Sequence, residues 1–211
     1  MGAVSTHALS YIGPPTTIMK AGQWAFGATY SDSEQDVEFG PDVLDEVELD
    51  STLGTIAVGL ADHRAEFFGR VGVTEYELEG EDSDDEFAIG FGGRITTNIG
   101  RGDLEGLDWG LALHLMYYEN PEDAGELYEF QLGFGPCWRP GAFILYGGPM
   151  IQMLGGDVEI PGYVDLDISE ESWFGGYIGA GVDVAEHFTV TAELQATPDA
   201  TAVAIGGQWR L

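Results

Sequence analysis

The groups in this chain that could do chemistry are four histidines, a few serines, clustered carboxylates and seven cations. Nucleophilic catalysis at a serine needs a general base within hydrogen-bond reach of the hydroxyl. Ser31, Ser33, Ser83, Ser169 and Ser172 lie in acidic stretches with no histidine among them, while His7 is near the N-terminus, His63 and His187 lie in turn-like segments and His114 sits inside an alternating apolar run. No base stands with the serines, so the expectation is that the protein is not an enzyme. Asp82, Asp84 and Asp85, and separately Asp165 and Asp167, supply the clustered oxygens that calcium or magnesium takes. Neither cluster has the glycine of an EF-hand loop, and a solvated charged rim is the competing reading; no other cofactor is expected. Cys137 is the single cysteine, which excludes an intramolecular disulfide and a multi-cysteine zinc site.

Seven Lys and Arg against 37 Asp and Glu give a formal charge of −30, which excludes nucleic acid as a partner because nothing could neutralise its phosphates. Hydrophobic residues at 44% are too many for a disordered acidic chain, so the apolar surface must be covered. The 32 glycines suit a sheet protein better than a helical one. No apolar run approaches the roughly 18 residues of a membrane helix. Residues 1–20 lack an apolar core behind a basic start, so they do not read as an intact signal peptide but as a flexible, extended tail.

From residue 21 the apolar pattern has period two, in segments at about 22–32, 53–62, 65–77, 86–99, 106–119, 126–138, 141–154, 172–184, 187–196 and 200–211. One face of the fifth reads Leu107, Trp109, Leu111, Leu113, Leu115, Tyr117; the other reads Asp108, Gly110, Ala112, His114, Met116, Tyr118. The contrast recurs in Tyr128, Phe130, Leu132 and Phe134 against Glu129, Gln131, Gly133 and Gly135, and in Val203, Ile205 and Trp209 against Ala204, Gly206 and Gln208. A soluble sandwich would set its large apolar face against bulk-exposed Lys, Glu and Thr. Glycine, alanine and isolated polar groups instead fit the crowded interior of a narrow barrel whose large apolar side chains face lipid, and tilted strands of about 9–11 residues span a bilayer. The fold expected is all-β: a transmembrane antiparallel up-and-down barrel of about ten strands over 21–211, eight being the alternative.

Charge and aromatic placement agree with that reading. Connections 32–52, 77–86, 119–126 and 155–172 hold 26 of the 37 carboxylates and no Lys or Arg, whereas Lys20, Arg64, Arg101, Arg139 and Arg210 fall on the side of the termini. Trp24, Trp109, Trp138 and Trp209 share outward parity at the termini-side ends of their segments, as an interfacial belt requires, and Tyr30, Tyr117, Tyr128 and Phe87 match them at the other rim.

With its hairpin pattern, its opening Ala21-Gly22-Gln23-Trp24-Ala25-Phe26-Gly27-Ala28-Thr29-Tyr30 and its alternating last strand, the stretch 21–211 resembles the bacterial outer-membrane β-barrel superfamily, especially its small outer-membrane protein A-like and porin-like barrels. It departs at Leu211, where the family usually ends in an aromatic, and at Pro149, which removes a ladder bond and reads as a bulge. The resemblance implies the outer membrane of a diderm bacterium, periplasmic termini, outer-membrane lipid and the barrel-assembly machinery as partners, and acidic loops outside. Self-association through the outward glycines Gly69, Gly93 and Gly207 is a further expectation, against their easing sheet curvature. The inward charged residues Arg70, Arg94, Asp108, His114, Glu129, Asp183 and Glu193 must be paired or wet. Strand counts of about eight give a side-chain-filled interior and about sixteen an aqueous channel, so ten is near the closed end. The first expectation is a filled lumen in which Arg70 and Arg94 bridge to Glu129 or Glu193, in a structural or surface protein. The second is a narrow cation-preferring pore lined by the same residues, and a third is adhesion or ligand capture through the acidic loops.

Overall fold

The computed structural model describes residues 9–38, 44–78, 81–82, 86–98, 106–119, 126–158, 166–169, 174–198 and 200–211. Its strands are β1 (Trp24–Glu38), β2 (Leu44–Ala61), β3 (Ala65–Leu78), β4 (Glu81–Asp82), β5 (Glu86–Asn98), β6 (Leu107–Glu119), β7 (Glu126–Trp138), β8 (Phe143–Val158), β9 (Leu166–Ser169), β10 (Phe174–Ala185), β11 (Phe188–Ala196) and β12 (Ala200–Arg210). Every pairing is antiparallel; β3 pairs β5 and β8 pairs β10 across the short β4 and β9, and β12 returns to β1, so ten strands close an up-and-down barrel. The two short segments extend it at one end: β4 folds back on β3 and β9 on the end of β8. Closure gives every strand of the wall two neighbours and leaves no edge along its ladders.

The period-two faces divide as their side chains require. Ala112, His114, Met116, Tyr118, Glu129 and Gln131 are buried inside, while Phe91, Ile95, Leu145, Ile178, Leu194, Val203 and Ile205 lie outside, each about half exposed. Trp24, Trp138 and Trp209 are 45–49% exposed at the termini-side end, and Trp109 stacks on Phe134 at 5.1 Å between ring centroids. At the other rim Tyr117 and Tyr128 stack at 5.2 Å. An apolar outer wall with aromatic ends and a polar, small-residue interior is the arrangement of a lipid-embedded barrel.

Three features differ from the sequence reading. The stretch 33–52 is expected as a loop, but its described residues, 33–38 and 44–52, continue the first hairpin: Asp32 pairs Asp50, Glu34 pairs Glu48, Asp36 pairs Glu46 and Glu38 pairs Leu44. Carboxylates in directly opposed positions are unfavourable and hide the strand signal, but ladder hydrogen bonds need only backbone. Pro149 makes no bulge, because β7 and β8 keep one register from Gly133–Met150 to Cys137–Tyr146 and merely lack pairing between those points, where Pro136 and Pro149 donate no N–H. Residues 9–20 carry no helix or strand, yet they are not a tail outside the barrel: Leu9, Ser10, Tyr11, Ile12, Thr16, Thr17 and Met19 are all buried within it.

Candidate functional site

The site is the lumen and the N-terminal segment threaded through it. An extended segment surrounded by a closed sheet has backbone groups that no ladder can satisfy, so side chains of the wall must do so. Glu129 on β7 accepts from the Ser10 backbone N–H at 3.3 Å, the Ser10 hydroxyl at 2.9 Å, Tyr118 at 2.6 Å and Gln131 at 2.6 Å. Glu193 on β11 accepts from the Ile12 N–H at 2.9 Å, the Gly13 N–H at 3.0 Å and Gln195 Nε2 at 2.7 Å. The carbonyls of the same stretch go to donors: Ser10 to Gln195 Nε2 at 2.9 Å, Tyr11 to Arg70 and Ile12 to Arg94 Nη2 at 3.0 Å. Carboxylates thus hold the segment's N–H groups while arginines and an amide hold its carbonyls. The segment binds as a strand would, with side chains in place of a neighbouring backbone.

Arg94 also pairs with Glu66, the residue directly opposite it on β3, and both are buried. Arg70 and Arg94 set their guanidinium carbons 4.9 and 4.8 Å from the centroid of the Phe68 ring, an arrangement that favours a cation over a π face. Arg70 Nη1 lies 3.3 Å from both ring nitrogens of His114, whose Nδ1 is 3.1 Å from the Ser10 hydroxyl.

Beyond Gly13 the segment runs to the termini end of the lumen. The Thr17 N–H donates to Thr96 Oγ1 at 2.8 Å, and the Met19 carbonyl accepts from the His63 N–H at 2.8 Å. His63 adopts a positive φ of 54° in the β2–β3 turn, and its Nδ1 lies 2.7 Å from the Ile18 carbonyl. Close approach sets residue type on the wall: a Cβ at Gly110 would lie 2.2 Å from the Pro15 carbonyl oxygen, and one at Gly59 would lie 2.0 Å from that of Lys20. Small inward residues are the space in which the segment lies.

The residues singled out from sequence are distributed as follows. Arg70, Arg94, His114, Glu129 and Glu193 meet around residues 10–13, but the arginines do not bridge to Glu129 or Glu193 as expected; Arg94 takes Glu66, and the two glutamates take the segment's N–H groups. Direct cross-strand opposition decides the first, and the presence of unpaired peptide donors the second. Asp183 stands apart near the β10–β11 turn, accepting from Thr189 and, at 3.4 Å, from Arg210. Asp108 is half-buried near the start of β6, away from the cluster. Asp84, Asp85 and Asp165 lie outside the described residues, Asp82 and Asp167 fall on β4 and β9, and among the described residues no group of three or more His, Cys, Asp or Glu is placed to hold a metal ion. Glu66 and Gln195 were missed, and Tyr118 and Gln131 were placed on the inner face without a role; Glu66 shares parity with Arg70, and that was the available signal.

No protein-family model and no curated protein matches the chain. Among solved structures, a COG4313 outer membrane channel from Pseudomonas putida F1 aligns over 96% of this chain and 100% of its own at 12% identity, with a TM-score of 0.57. The translocator domain of autotransporter NalP from Neisseria meningitidis aligns over 90% and 89% at 11% identity, with a TM-score of 0.48. The outer membrane protease OmpT from Escherichia coli aligns over 98% and 100% at 12% identity, with a TM-score of 0.42. The fold is that of the outer-membrane β-barrels.

Proposed function

We propose that this protein is a non-catalytic structural barrel of the bacterial outer membrane, closed by its own residues 9–19, with periplasmic termini and the acidic connections outside. The occupied lumen carries this reading: the N–H groups of Ser10, Ile12 and Gly13 and the carbonyls of Ser10, Tyr11 and Ile12 are taken up by Glu129, Glu193, Gln195, Arg70 and Arg94. Ser10 and His114 are within hydrogen-bond reach, but both are buried and the serine hydroxyl donates to Glu129, an acceptor that takes no proton from it, so the pair serves structure. Lipid meets the apolar wall, the assembly machinery takes the alternating last strand, and Gly69 and Gly93 on the outer face leave room for a second barrel. Detergent-folded protein inserted in a planar bilayer in potassium chloride is expected to give no conductance steps; discrete, reproducible steps from the intact chain would overturn the closed barrel.

One observation favours a second reading. Residues 9–20 have no strand pairing with the wall and are held at 10–13 largely by side chains, so the segment can leave without opening the sheet. A barrel that releases it is a narrow channel whose acidic mouth favours cations, in line with the fold it shares with an outer membrane channel. Under this reading, protein lacking residues 1–19 conducts, and neutralising the loop carboxylates flattens its cation preference; an unchanged preference counts against it.

A further inference from the structure

Residues 10–13 are bound chiefly through their main chain. Three N–H groups and three carbonyls on these four successive residues go to side chains of the wall, those of Glu129, Glu193, Gln195, Arg70 and Arg94. With the segment gone, these side chains would lose partners inside a narrow lumen, and a buried polar group without a partner is costly. A molecule offering N–H and carbonyl groups at strand spacing meets them all, and extended polypeptide is that molecule. Side chains of the segment add selectivity. Leu9 and Ile12 lie in a buried apolar cluster with Ile144, Met150 and Tyr177, and the Ser10 hydroxyl donates to Glu129. The Tyr11 hydroxyl bonds Thr191 Oγ1, and the Arg70 guanidinium carbon is 5.6 Å from the centroid of its ring. Gly13 has a φ of 79°, and a Cβ there would lie 2.8 Å from Arg94 Nη2 and 3.0 Å from the Tyr11 ring, so the position requires glycine. None of these contacts involves the link to the barrel, a turn at residues 20–23 in which Lys20, Ala21 and Gly22 are exposed.

We infer that the lumen is a binding site for extended polypeptide, in which residues 9–13 are the ligand held in cis, and that a peptide of another chain with the pattern aliphatic-Ser-Tyr-aliphatic-Gly takes the same place in trans. Main-chain bonds supply affinity, and the tyrosine and glycine positions supply selectivity, as when a peptide adds to a sheet edge; here wall side chains replace the edge. A tethered ligand competes at an effective concentration of about millimolar, so the intact chain excludes other peptides and the site opens to them once the link is cut. The inference rests on the closed-barrel reading, since a segment outside the lumen would not be its ligand.

Lys20 is the only lysine of the chain, so a lysine-specific endoprotease applied to intact, detergent-folded protein cuts once, at the exposed turn. A Gly-Ser-Gly insert after Lys20 opens the turn should the protease not reach it. The nicked protein is unfolded in urea and refolded into detergent with a large excess of a fluorescent peptide of residues 1–20, so that the cut segment and the added peptide compete from the start. The labelled peptide is expected to co-elute with the folded barrel in gel filtration, while intact protein treated in the same way captures none. Unlabelled peptides carrying Tyr11→Ala or Gly13→Ala are expected to need about tenfold or more concentration than the unaltered peptide to displace it. A nicked barrel that refolds without either peptide, fails to refold with both present, or captures equally a peptide with residues 9–13 scrambled would overturn the inference. Conductance steps from the intact chain would instead remove the closed barrel beneath it, which separates the two failures.

Discussion

Replacing Arg94 by Met is expected to destabilise the folded barrel by about 3–5 kcal/mol, because it strands a buried carboxylate whose hydration is already lost. Glu66 is only 4% exposed and sits directly opposite Arg94 in the β3–β5 ladder. The substitution also removes the donor to the Ile12 carbonyl and the cation above Phe68. Denaturant unfolding of detergent-folded protein reads the loss as a lower midpoint. The companion variant separates pairing from packing: with Glu66→Leu added, no charge is left unpaired, and most of the stability should return, since apolar replacement of a buried pair is often close to neutral. A double variant as unstable as the sum of its parts would show that Arg94 does not act through Glu66.

A second large effect is expected at Glu193, with a different readout. Its carboxylate receives Ile12 N–H, Gly13 N–H and Gln195 Nε2, and Glu193→Ala leaves the two backbone donors without an acceptor, while Gln195 Nε2 keeps the Ser10 carbonyl. Each unsatisfied buried donor costs roughly 1–3 kcal/mol. The wall itself loses no ladder bond, because strand pairing at this position is backbone only. The lowest-cost response is therefore for residues 9–13 to leave the lumen, where water can solvate them. Protease added to the folded variant should cut within the N-terminal segment while the barrel still migrates as a folded species on an unheated gel. Glu193→Gln keeps one acceptor oxygen and should show a weaker form of the same behaviour. Full protection of the segment in Glu193→Ala would mean that the contacts at residues 10–13 do not hold it.

The barrel was legible because its wall obeys a local rule. Alternation in Leu107–Tyr118 and Tyr128–Gly135 records which side chains meet lipid and which meet the lumen, and the tryptophans record where lipid ends. The rule is hidden beyond Tyr30, where carboxylates such as Asp32 and Asp50, or Glu34 and Glu48, stand opposite one another and break the apolar alternation, which is why 33–52 read as a loop although the backbone of 33–38 and 44–52 pairs. It fails again at residues 9–13, whose partners are remote: Ser10 and Glu129 are 119 positions apart, and Ile12 and Glu193 are 181 apart. Nothing in Leu9-Ser10-Tyr11-Ile12-Gly13 marks it as the segment that fills the lumen. The need for it was nonetheless visible in the wall, in carboxylates and guanidiniums facing an interior too narrow to hydrate them. Their mutual pairing seemed the simple solution, and only the register, which sets Arg94 against Glu66 and leaves Glu193 for Ile12 and Gly13, decides otherwise.

The central claim is that residues 9–19 lie inside the folded barrel, and a disulfide across the gap tests it most directly. The Thr17 N–H is 2.8 Å from Thr96 Oγ1, whereas Thr97, one residue on, faces outward. In a Cys137→Ser background, detergent-folded protein carrying Thr17→Cys and Thr96→Cys should form an intramolecular disulfide under mild oxidation, seen as a faster band on a non-reducing denaturing gel. The Thr17→Cys, Thr97→Cys pair should not form one. A Thr96 pair that stays reduced in the folded barrel, or equal cross-linking at Thr97, would place the segment outside the lumen and contradict the account.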